Sequence, residues 1–155
     1  MGEQIGAGDY RDKEGRRCHY GNDKESEIMS NTEKVQMKKI LYVQTSGIDT
    51  PERLYAPFIL AMTAKAMDLE PAIYFLIKGV TVLKKGAADS IKLGSFPTLK
   101  EVMDQAISTG IKMYACTQSC EMIGMPKGDL IEGVTVAGAA TVNDLVLEAD
   151  GVLYF

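Results

Sequence analysis

Ile111-Lys112-Met113-Tyr114-Ala115-Cys116-Thr117-Gln118-Ser119-Cys120-Glu121-Met122-Ile123-Gly124-Met125 is the stretch on which the fold turns. Its first half is apolar and strand-like, with Ile111, Met113, Tyr114 and Ala115 leading into Cys116. Its second half reads as one or two helical turns, closed by Gly124 and Pro126. A thiol is thereby set at the carboxyl end of a buried strand, facing the start of a short helix. Open α/β sheets present their ligands at that end of the strands. Backbone N–H groups at a helix start favour negative charge, which draws a cysteine toward its thiolate. Cys116 is the expected working residue.

Working outward, the flanking segments repeat the same alternation. Thr98-Leu99-Lys100-Glu101 is a capping-box signature, and Leu99, Val102, Met103, Ala106 and Ile107 recur at helical spacing until Gly110 ends the run. Ile40-Leu41-Tyr42-Val43-Gln44 reads as a first buried strand, followed by a turn at residues 45–49. Thr50-Pro51-Glu52 opens a helix whose inner face is Leu54, Phe58, Ala61, Met62 and Leu69. Pro57 predicts either a bend in that helix or a start one turn later, and Pro71 marks its exit.

Residues 72–77 form the second predicted strand, and 78–94 read as a loop with one helical turn. After a loop over 126–133, Val134-Thr135-Val136-Ala137 is a short fourth strand. Thr141 is expected to cap a helix through Val142, Leu145, Val146 and Ala149. Gly151 breaks that helix, and Val152-Leu153-Tyr154-Phe155 forms a fifth strand, apolar enough to need cover from helices or another subunit. The pattern predicts a three-layer, flavodoxin-like α/β domain with a five-stranded, mostly parallel sheet and right-handed crossovers.

The domain is expected to span residues 37–155. Residues 1–36 are rich in Gly, charged and small polar residues, and are expected to be a disordered or loosely attached tail. The sole histidine, His19, sits there beside Cys18; two ligands are too few for a structural metal site. A net charge of -4 argues against a nucleic-acid partner. No run reaches the roughly 18 apolar residues of a membrane span, and the first residues lack the apolar core of a secretory signal. Three cysteines, two of them closely spaced, suit the reducing cytosol rather than a secreted disulfide framework.

Several chemistries lack their equipment. No GxxxxGK[ST] loop is present and no GxGxxG follows the first strand, so a nucleotide cofactor is not expected. The predicted domain has no histidine, which removes Cys-His and Ser-His nucleophile activation and leaves a zinc set unfilled. Thiol chemistry remains, with no cofactor or metal expected. Cys120 lies near the same mouth as Cys116, either as its partner or as a small buried hydrophobe. Lys78, Lys84, Lys85 and Lys127 are candidates for bringing positive charge to that rim; Lys78 stands out because it follows a strand directly. Ser46 and Gly47, after the first strand, are candidates for shaping the pocket. Thr117 and Ser119, beside the cysteines, complete the candidate substrate-binding set. Met103, Met113, Met122 and Met125 offer soft sulfur for copper(I), but core and interface packing is the favoured reading.

Residues 113–125, with Cys-x-x-Ser followed by Gly-Met, resemble the DsrE/DsrF-like family of small sulfur-handling proteins, nearest to a branch often labelled peroxiredoxin-like. The closing segments 136–141 and 149–155 are similar to that family's end, and the resemblance covers about residues 38–155. It implies a flavodoxin-like domain that assembles into trimers or hexamers. It also implies a cysteine, Cys116 by position, that carries persulfide or thiosulfonate sulfur between donor and acceptor proteins. A cytoplasmic sulfur carrier or sulfurtransferase is therefore the first expectation. A thiol-disulfide protein using Cys116 and Cys120, and a non-enzymatic binding or assembly module, are the alternatives.

Overall fold

The computed structural model describes residues 37–155. The expected tail, with Cys18 and His19, lies outside the described residues. Five strands run β1 (Lys39–Gln44), β2 (Glu70–Phe75), β3 (Lys112–Cys116), β4 (Val134–Ala137) and β5 (Gly151–Tyr154). Four α-helices alternate with them: α1 (Tyr55–Ala66), α2 (Leu99–Ser108), α3 (Thr117–Met122) and α4 (Ala139–Glu148). The sheet order is β4-β3-β2-β1-β5, and every pairing is parallel. Three connections therefore step one way across the sheet, and the last returns past them to β5. With right-handed crossovers, the first helices cover one face and α4 the other.

Side chains follow that division. On one face Tyr42 donates its hydroxyl hydrogen to the Leu60 carbonyl of α1, and Phe75 packs on Phe58 with ring centroids 5.9 Å apart. On the other face Leu41, Ala72 and Tyr114 line one cleft with Leu145 of α4 and Ala149, its C-cap. That second layer is thin, because α4 has no fully buried residue and its Leu147 is 84% exposed. Edge strand β5 likewise leaves Leu153 and Tyr154 exposed, so the helices of this chain cover the closing strand only in part. Among the described residues no helix is long and apolar enough to cross a membrane.

The structure moves several predicted boundaries. Pro71 is the second residue of β2 rather than the helix exit. It is tolerated because pairing with β3 begins only at Ala72, so on that side no ladder bond needs its missing N–H. Pro57 sits in the first turn of α1, where its N–H would have no intrahelical partner; a 3-10 turn over Pro51–Arg53 precedes it, so the later start is the one adopted. The helical turn expected within 78–94 is a 3-10 helix over Ile77–Leu83, which starts one residue earlier and buries Val80, Val82 and Leu83. Gly138, not Thr141, occupies the N-cap of α4, because β4 turns into the helix without a spacer. The Thr98 capping box is present with both reciprocal bonds.

Two glycines set how the strand exits pack. A Cβ on Gly47 would lie 2.7 Å from the Lys78 carbonyl oxygen, and one on Gly79 would lie 2.1 Å from the Gln44 carbonyl oxygen. The chain leaving β1 and the chain leaving β2 are thus pressed together without side chains between them. Ile77 begins the second exit at φ +53, a left-handed conformation unusual for a β-branched residue. Its N–H donates to the Ser119 hydroxyl at 2.8 Å, which ties this exit to α3.

Candidate functional site

Cys116 ends β3 and is the N-cap of α3, so the expected placement of a thiol at a strand end is found. It is nearly enclosed, at 5% exposed. The side chain caps no N–H of the short helix. Instead its thiol donates to Oε1 of Gln118 at 3.5 Å.

Alternation along the strands puts Tyr74 on the same face. Tyr74 pairs in register with Tyr114, two residues before Cys116, and their rings stack 6.1 Å apart. The fully buried Tyr74 hydroxyl shares its hydrogen between the carbonyls of Ala137 at 3.0 Å and Gly138 at 3.1 Å. Ala137 is the register partner of Cys116, so the Tyr74 hydroxyl reaches β4 beside the end of β3 that carries the thiol. Burial first, and the neighbouring sulfur second, push its pKa up to about 12, so it remains a donor at neutral pH.

Cys120, one turn along α3, is buried and forms no disulfide. Burial, and after it the charge that Cys116 can carry, raise its pKa, with Lys127 pulling weakly the other way. Cys120 is thus held as a neutral thiol. Ser119 is buried and its hydroxyl is engaged by Ile77, whereas Thr117 is half-exposed at the mouth.

Two of the four lysines expected at the rim, Lys78 and Lys84, are paired with carboxylates. Lys78 Nζ is 2.5 Å from an Asp49 carboxylate oxygen, and the ammonium holds that carboxyl below its ordinary value. Lys84 lies 3.9 Å from Asp129, and Lys85 donates to the Gly128 carbonyl at 2.8 Å. Gly47 acts by letting the two strand exits meet, and Ser46 offers its carbonyl to the buried Gln44 amide at 2.6 Å. Met103 and Met113 belong to the core and Met125 is buried, whereas Met122 is 78% exposed. A cavity of about 480 Å³ between α2 and residues 84–89 includes none of the expected site residues except Lys84 and Lys85.

Gln118 and Tyr74 are the polar groups at the sulfur that sequence reading missed. The legible signals were a carboxamide in the first turn after the thiol, and a tyrosine in a strand buried enough to need a partner for its hydroxyl.

The raised pKa values carry a consequence for stability. Tyr74, Tyr42 and Cys120 are all held neutral in the fold by burial, against ordinary values of 10.0, 10.0 and 9.0. Above those values the unfolded chain binds fewer protons than the fold, so stability falls as pH rises. Melting temperature should be flat from neutral pH up to about pH 9 and decline beyond it. Tyr74→Phe should show a shallower alkaline decline than the native chain.

The comparisons with known proteins agree with this architecture. The model of the DsrE/DsrF-like family matches residues 38–155. The sulfur carrier protein DsrE2 of Allochromatium vinosum is 26% identical over 160 aligned positions, covering 77% of this chain and 99% of that protein. An uncharacterised protein of Methanocaldococcus jannaschii, MJ0760, is 35% identical over 68% of this chain, but the match spans only 38% of its length. Among solved structures, the ychN protein of E. coli superposes with a TM-score of 0.66 at 21% identity, covering 77% of this chain and all of that one. The Methanobacterium thermoautotrophicum protein MTH1491 gives 0.58 at 20% identity, covering 76% and 99%.

Proposed function

The chain belongs to the DsrE/DsrF-like family, and from that premise we propose that it is a sulfur carrier whose cargo rides on Cys116. The observation that carries the reading is the Cys116 thiol, held at the carboxyl end of the interior strand β3 and bonded there to a polar side chain, Gln118. The similarity to a protein named as a sulfur carrier supports the same reading.

As thiolate, Cys116 attacks the outer sulfur of a persulfide or another sulfane donor. The new S–S bond forms as the donor's S–S bond breaks, and the donor's inner sulfur leaves as a thiolate. An acceptor cysteine then attacks the outer sulfur on Cys116 and releases the Cys116 thiolate. The sulfane sulfur keeps its oxidation level throughout, so neither step consumes an oxidant or reductant. Donor and acceptor are proteins or small sulfane compounds that reach the half-exposed Thr117 side of the site.

The carrier acts in the reducing cytoplasm as a trimer or hexamer. The exposed apolar side chains Leu147, Leu153 and Tyr154 along α4 and β5 support assembly with further copies. The test of the chemistry is incubation with polysulfide, desalting, and treatment with cyanide. About one thiocyanate per chain is expected from the native protein if a single cysteine is the carrier; none would remove the proposal.

A further inference from the structure

Cys116 changes charge during any transfer, from thiol to thiolate to persulfide anion, and its immediate polar neighbours must accept each form. We propose that Gln118 and Tyr74 form an adaptable cradle that holds the Cys116 sulfur as an anion and steers the site toward anionic persulfide cargo. This inference rests on the sulfur-carrier reading for its cargo, but the cradle itself concerns only the sulfur of Cys116.

The geometry supplies both halves. Gln118 Oε1 accepts from the thiol at 3.5 Å, which suits the protonated form. A thiolate in the same place would face an oxygen lone pair. A carboxamide resolves this by a half-turn of its terminal torsion, exchanging the acceptor Oε1 for the donor Nε2. Gln118 is exposed, and its Nε2 stands beside Gly138, where even an added Cβ would be 3.9 Å away. The glycine leaves that rotation unobstructed.

Tyr74 contributes the second donor. Its hydroxyl hydrogen is shared between the Ala137 and Gly138 carbonyls while the sulfur is protonated, and it can turn to the sulfur once a stronger acceptor appears there. It keeps its proton because its pKa is raised to about 12. Gln118 thus bonds the sulfur directly, and the Tyr74 hydroxyl stands next to it on the carbonyls of Ala137, the register partner of Cys116, and Gly138. Glu121 on α3 and Lys127 just beyond it bear on Cys120 with opposite effects.

The test compares the native chain with Gln118→Glu, Gln118→Ala and Tyr74→Phe, each read first by the rate of Cys116 alkylation with iodoacetamide against pH. Gln118→Glu keeps the shape and places an acceptor-only anion beside the sulfur. Its alkylation curve should lie about one pH unit to the alkaline side of the native curve, and its polysulfide loading at neutral pH should fall about tenfold. Gln118→Ala and Tyr74→Phe should shift the curve in the same direction by less. Since Gln118 is exposed, the variant should melt with the native chain. Superimposable alkylation curves for native and Gln118→Glu would overturn the cradle, whether or not the protein loads sulfur. A shifted curve in a protein that takes up no sulfur would keep the cradle and remove the carrier reading instead.

Discussion

Gly79→Ala is expected to destabilise the fold by about 3 kcal/mol or more, a large part of the 5–15 kcal/mol typical of a native domain. The added Cβ would sit 2.1 Å from the Gln44 carbonyl oxygen and 2.8 Å from its carbonyl carbon. Both are backbone atoms, so no flexible side chain can swing aside. That oxygen also accepts the Leu76 N–H at 2.9 Å, so displacing it strains the contact between β1 and the exit of β2. The shift would pass to Ile77, whose N–H holds Ser119, and from there to α3. Gly128→Ala is the control, because a Cβ there meets nothing within 4 Å. Urea unfolding of both variants reads the difference. Equal stabilities would contradict the close approach of the two strand exits.

Cys116→Ser is expected to reduce sulfur loading to background while leaving the fold intact. The serine hydroxyl is nearly isosteric with the thiol and can donate to Gln118 in its place. It cannot form the S–S bond, however, and it is not ionised near neutral pH. Cys120→Ser should behave differently. Cys120 is buried and held as a neutral thiol by that burial, so it offers little nucleophile of its own. Loading on Cys116 should persist in Cys120→Ser within a few-fold of native. If Cys120→Ser instead abolished reaction as fully as Cys116→Ser, the two thiols would act as a redox pair.

Much of the architecture was legible because it depends on local patterns. The apolar runs 40–44, 111–116 and 134–137 marked three parallel strands, and Thr98 with Glu101 fixed the start of α2. Boundaries slipped where a local rule was overruled by pairing. Proline at 71 reads as a breaker until it is seen that β3 does not pair with it. Thr141 reads as a cap, but Gly138 reaches the position first, directly from β4.

The candidate site was legible in its centre and not in its surroundings. The placement of Cys116 at a strand end followed from strand-then-helix order alone. Lys78 was read as a free cation because its partner Asp49 belongs to a different strand exit, and only the fold brings them to 2.5 Å. Tyr74 lies 42 positions before Cys116 and joins it through register, which sequence spacing does not reveal. Gln118 is adjacent in sequence, but its bond to the sulfur depends on the side-chain direction at the turn.

The most direct test of the carrier reading is intact-mass spectrometry of the native chain, Cys116→Ser and Cys120→Ser after exposure to thiosulfate, tetrathionate or polysulfide. The expected result is a sulfur-containing adduct on the native chain and on Cys120→Ser, and none on Cys116→Ser. Loss of two hydrogens without added sulfur, or an adduct that survives in Cys116→Ser, would contradict it.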